Sequence, residues 1–172
     1  MPIQLLVAIF DYSLLAEKAL QDAIDRHPDF ARALSTVSLF DRTAEHTVIA
    51  RMIQLDRNGK LVDASRSVLS EELLKSLVPV RADWSVVSSA FGDEFPQTAL
   101  NGEFCAFLEI MMLQRTCSVF FVPNDEDAAT HFIESMRPTA SVLLHTTMTP
   151  DELQTLRVSL IASRQNEMAT PL

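Results

Sequence analysis

The chain has 172 residues, 48% of them hydrophobic, and its 14 basic and 23 acidic side chains leave a formal net charge of −9. That length bounds it to one domain with ample apolar material for a core, and the scattered basic residues argue against a nucleic-acid surface, which clusters Lys and Arg to displace counterions. With only three glycines, phosphate loops of the GxGxxG or Walker type are excluded.

No targeting segment is expected. The apolar run Ile3 to Phe10 lacks a basic flank and closes at Asp11, which is too short for a secretory signal. The later run Phe104 to Leu113 contains Glu109 and falls short of the roughly 20 residues a membrane span needs. Cys105 and Cys117 sit in apolar surroundings without CxxC spacing, so both read as reduced core thiols of a cytoplasmic protein, with no metal and no cofactor expected.

In chain order, Ile3 to Phe10 (IQLLVAIF) reads as a strand whose continuous apolarity suits the centre of a sheet. Ser13 is a candidate N-cap for a helix that presents Leu15, Ala19, Leu20, Ala23 and Ile24 on one face and runs out at His27-Pro28. Ala33 to Phe40 follows as a second strand. Thr47 to Leu55 looks extended, Asp56-Arg57-Asn58-Gly59 is a hairpin turn, and Lys60 to Ala64 returns as its partner.

Ser70 is expected to open a short helix to about Leu77, and Trp84 to Phe91 a strand, before a Gly- and Pro-bearing loop from Gly92 to Gly102. Glu103 to Gln114 reads as a helix apolar almost all round, which implies burial in the core or against a partner. Cys117 to Val122 is a strand closed by Pro123, and Asn124 caps a helix with Ala128, Ala129, Phe132, Ile133 and Met136 on its stripe. Ala140 to Thr146 is the last strand, and Thr149-Pro150-Asp151-Glu152 is a capping box for a final helix through Leu153, Leu156, Leu160 and Ile161. Strand, helix, strand thus occurs twice. The expected fold is α+β, a ferredoxin-like split βαβ sandwich over residues 1–163, with halves 1–41 and 117–162, a helical and hairpin insert 42–116 and a flexible tail 164–172. One sheet face would then await cover by the insert or a second subunit.

This order resembles a family of small bacterial proteins of unknown function with two βαβ halves around a long insert. The likeness lies in LLVAIFD at Leu5 to Asp11, AEKAL at Ala16 to Leu20, the charged hairpin Asp56 to Lys60, and SVFFVPNDEDAATHFIESMRPTASVLLHTTMTPDELQTLR at Ser118 to Arg157. None of these motifs is catalytic. The resemblance implies the fold; the Gly-rich, membrane-like helical pair common in that family's insert has no counterpart among Gly59, Gly92 and Gly102, so no membrane role follows.

Candidate chemistry is sparse. Asp11 and Asp41 each follow a strand-ending Phe, and on neighbouring strands they would form an acid-base pair, although Asp after a strand is ordinarily a turn or cap residue. His27, His46, His131 and His145 show no HxH, HxxxH or HExxH spacing; His46 and His145 are the two that an acid-base site with these carboxylates would use. Phe104, Phe107, Leu108, Met111 and Met112 form a stripe fit for core packing or for a partner interface. The expectation is a non-enzymatic, self-associating module, most simply a homodimer, that binds a protein or small ligand. The alternative is a small enzyme using Asp11, Asp41, His46 or His145.

Overall fold

A computed structural model describes residues 3–42, 47–70, 85–89 and 117–154. The strands are β1 (Ile3–Phe10), β2 (Val37–Arg42), β3 (Thr47–Leu55), β4 (Leu61–Ser70), β5 (Ser85–Ser89), β6 (Cys117–Phe121) and β7 (Val142–Met148); α1 spans Ser13–Arg26, α2 Glu126–Met136, and a 3-10 segment covers Pro28–Thr36. They build one seven-stranded sheet in the order β4-β3-β2-β6-β1-β7-β5. Every neighbouring pair is antiparallel.

This sheet corrects the expected ferredoxin-like α+β sandwich with its separate insert. The stretch assigned as an insert supplies β3, β4 and β5, which extend the sheet at both ends, and the result is a predominantly antiparallel β domain. Hydrophobic periodicity locates strands but does not say which strand lies beside which, so edge strands read as an appendage.

Locally the elements follow their residues. Pro28 starts the 3-10 segment and Thr36 Oγ1 donates to the Ala33 carbonyl at 2.8 Å, so the second strand begins at Val37, later than its apolar pattern indicates. Tyr12 occupies the cap position of α1 without a side-chain bond, in place of Ser13. At α2 the cap is Asp125, whose carboxylate accepts from the Ala128 N–H at 2.7 Å. Asp56 Oδ1 accepts from the N–H groups of Asn58 and Lys60, and Gly59 sits at φ 76°, a left-handed conformation that glycine adopts without a Cβ clash. Ser70 is the last residue of β4, and the short helix expected from it to about Leu77 falls outside the described residues. Thr149 and Glu152 exchange both capping-box bonds, at 3.1 and 3.2 Å.

The helices pack on one face of the sheet. Leu6, Ala8, Phe10, Val119 and Phe121 meet Ala16, Leu20 and Ala23 of α1 and Phe132 and Met136 of α2 in a single core cluster. Phe121 lies between Phe30 and Phe132, with ring centroids at 5.4 and 4.9 Å. Alternation places Leu5, Val7, Ile9, Phe40, Phe120, Val142 and Leu144 on the opposite face, and these too are buried within a single chain. Of the two covers expected for that face, the insert or a second subunit, a single chain suffices. Among the described residues no helix is long and apolar enough to cross a membrane.

Candidate functional site

The helix-facing row of β3 is Ile49, Arg51, Ile53 and Leu55, so alternation drives one guanidinium into an apolar layer. Arg51 is 8% exposed. Its Nη1 donates to Glu17 Oε1 of α1 at 2.5 Å and to Asp63 Oδ1 of β4 at 3.3 Å, while Nε faces Asp41 Oδ2 of β2 at 2.8 Å. One buried cation thus joins α1, β2 and β4 through three carboxylates. Burial alone would lower the Arg51 pKa; the hydrogen bond to Glu17 and the charges of Asp41, Glu17 and Asp63 outweigh it, and the net direction is upward.

Cys117 borders this cluster, since its register partner on β2 is Asp41. Burial first, and then the negative charge of Asp41, push its thiol well above the ordinary range. A thiol so held is protonated and inert as a nucleophile. Arg51 Nη2 and Asp41 Oδ1 are buried without a hydrogen-bond partner, so the cluster is tight but incompletely satisfied. Its chemistry is that of an internal ionic lock: removing either sign would strand the other in the core.

Among the described residues, the acid-base candidates Asp11, Asp41 and His145 are not brought together. Asp41 shares a cross-sheet row with Cys117 and Phe10, so β6 separates the strands that carry Asp11 and Asp41, and the two strands lie about 10 Å apart. Asp11 instead accepts from Ser141 Oγ at 3.1 Å. His145 lies within β7 opposite Leu6, which puts it roughly 17 Å along the sheet from Asp11. His46, Cys105 and the stripe Phe104, Phe107, Leu108, Met111 and Met112 lie outside the described residues.

His27, just past the end of α1, stacks on His131 in the middle of α2 with centroids 3.7 Å apart and planes 5° from parallel, and His27 Nε2 is 4.0 Å from Glu134 Oε2. Among the described residues no group of three or more His, Cys, Asp or Glu is placed to hold a metal ion.

A cleft of about 430 Å³ opens beside the ionic lock, between the 3-10 segment and the β3–β4 hairpin. Leu34, Met52, Ile53 and Leu55 supply apolar wall, Ser35, Gln54 and Ser65 supply polar groups, and Arg32 is the charged residue of the lining. The hairpin pairing explains the opening: Met52 faces Ser65 but Ile53 faces Asp63, so Ala64 is an extra residue in β4. Such a bulge bends the strand and re-aims its neighbours. The cleft is an open surface groove, with an apolar wall and a few polar groups along it.

Sequence reasoning missed Arg51, Glu17, Asp63 and the cleft. A charged residue at an apolar-face position of TVIARMIQL was the available signal for the lock; the cleft had none, because a bulge is a property of pairing.

No protein-family model matches the chain, and no solved structure matches it. It is 28% identical over 154 residues to cadherin-23 of Rattus norvegicus and 28% identical over 156 residues to cadherin-23 of Mus musculus. Each alignment takes in 88% of this chain and 4% of the cadherin's length. It is the antiparallel sheet that corrects the ferredoxin-like α+β label toward a predominantly β domain.

Proposed function

We infer that the chain is a non-enzymatic binding module that self-associates and receives a small amphipathic anion, or the equivalent side chains of a protein partner, in the cleft between the 3-10 segment and the β3–β4 hairpin. The observation that carries this reading is the cleft's lining, an apolar wall with Arg32 as its charged group. An apolar body would cover Leu34 and Leu55 while its anionic end meets the guanidinium in a charge-assisted bond. The acid-base alternative is weakened by the separation of Asp11, Asp41 and His145 across the sheet.

Anilinonaphthalene sulfonate has this chemistry and reports binding by fluorescence. Saturable binding is expected, weakened about tenfold by Arg32→Glu, a loss of about 1.4 kcal/mol, and blocked by Ser35→Trp, which fills the cleft. Equal binding by both variants and the unaltered chain would remove the cleft from the account.

Residence is proposed to be cytoplasmic, supported by Cys117 as a buried free thiol. The likeness to cadherin-23 favours a second reading, an extracellular adhesion-type β domain. Fractionation of the source cells separates the two.

A further inference from the structure

We propose that β4 is the self-association surface, and that two copies join edge to edge through an antiparallel β4–β4 pairing in which Asp63 of each copy faces Arg66 of the other. The inference rests on the self-association proposed above and names the surface that carries it.

Among the described residues β4 ends the sheet, with no strand beside its outer side. It is the longest strand, ten residues against five for β5 at the opposite edge. Unpaired strand edges template further strands, and proteins usually blunt them by shortness or charge. This edge is long and, beside the charges of Asp63 and Arg66, exposes Val62 and Val68, at 38% and 62%.

The register follows from the bulge. In a regular strand Asp63 and Arg66 would point to opposite faces, since their separation is odd. With Ala64 as the extra residue, Asp63 aligns with Ile53 and Arg66 with Arg51, so both lie on the helix-side face. An antiparallel pairing about a twofold axis at the bulge then sets Asp63 opposite Arg66 twice over. The same register sets Leu61 opposite Val68 of the other copy. Opposite charges and apolar pairs directly across a strand pair are the contacts that stabilise sheets. A second copy is therefore a better fit to this edge than an unrelated strand, because the edge is complementary to itself.

Sedimentation equilibrium of the full chain tests the surface. A dimer is expected at micromolar concentration. Arg66→Glu places like charges across the edge at both symmetry-related pairs and should weaken it about tenfold. Asp63→Arg should do the same. An equimolar mixture of the two variants restores both opposite-charge pairs, and dimer formation should return. Because Asp63 also holds Arg51, Val68→Lys provides a route that leaves the ionic lock intact, and it should weaken the dimer as well. A dimer indifferent to Arg66→Glu and to Val68→Lys would overturn the β4 surface while leaving self-association standing. A monomer throughout the micromolar range would overturn both.

Discussion

The centre of the sheet and its β2–β4 flank meet the same helices in different ways. Over β1 and β6 the helix-facing row is Leu6, Ala8, Phe10, Cys117, Val119 and Phe121, and apolar packing holds α1 and α2 against it. Over the flank the same face carries Asp41, Arg51 and Asp63, answered from α1 by Glu17. An apolar layer stabilises but tolerates sliding, whereas buried ions are costly unless each finds its partner, so the flank fixes register where the centre supplies stability. The cleft proposed to bind and the outer side of β4, which ends the sheet among the described residues, both lie on the flank.

The centre should show the largest single loss. Phe121→Ala removes the ring between Phe30 and Phe132 and should cost about 4 kcal/mol by urea unfolding. Arg51→Ala comes next, at about 2 kcal/mol, because it leaves Asp41, the least exposed of the three carboxylates, without its cation while Glu17 and Asp63 keep access to water. The contrast is sharpened by the triple variant Glu17→Met, Asp41→Leu, Arg51→Met, which removes the cation with two of its carboxylates and leaves Asp63, 34% exposed, to water; it should return to within about 1 kcal/mol of the starting stability. If the triple variant is as unstable as Arg51→Ala, the flank is held by something other than ion pairing.

Cys117 gives the comparison a pH axis. Its folded pKa is raised, so its contribution is fully present below the unfolded thiol's pKa and is lost as pH rises through that value toward the folded one. Unfolding followed above about pH 8.5 should fall by up to about 1.4 kcal/mol per unit from this group, and Cys117→Ala should remove that part of the slope. Iodoacetamide with peptide mapping should label Cys117 only on unfolding.

The smallest effect lies where α1 touches the hairpin. Gln21 Nε2 donates to the Gly59 carbonyl and its Oε1 accepts from the Leu61 N–H, both at 3.0 Å. Gln21→Ala should cost about 1–2 kcal/mol, and the loss should appear as faster amide exchange in β4 rather than in β1.

Much of the central layer was legible in the sequence. The run IQLLVAIF fixes β1 at its observed limits, the stripe Ala129, Phe132 and Met136 gives α2 its buried face, and Asn58-Gly59 marks the hairpin, because apolar periodicity and turn chemistry are local. The flank was not legible. Asp41, Arg51, Asp63 and Glu17 are far apart in sequence, and only the antiparallel order β4-β3-β2 gathers them. Asp11 and Asp41 failed as a pair for the complementary reason: Asp11 follows β1 as expected, but Asp41 lies within β2, and β6 runs between the two strands. Ala64 looks like any other strand residue until its partner is known.

The central claim is that the flank carries the function while the centre is scaffold. Hydrogen–deuterium exchange of the full chain with and without anilinonaphthalene sulfonate tests it most directly. The account predicts added protection in residues 31–35, 52–55 and 64–65, the elements that line the cleft, with β1 and β7 unchanged. Protection confined to β7 and β5, or none at saturating probe, would contradict it.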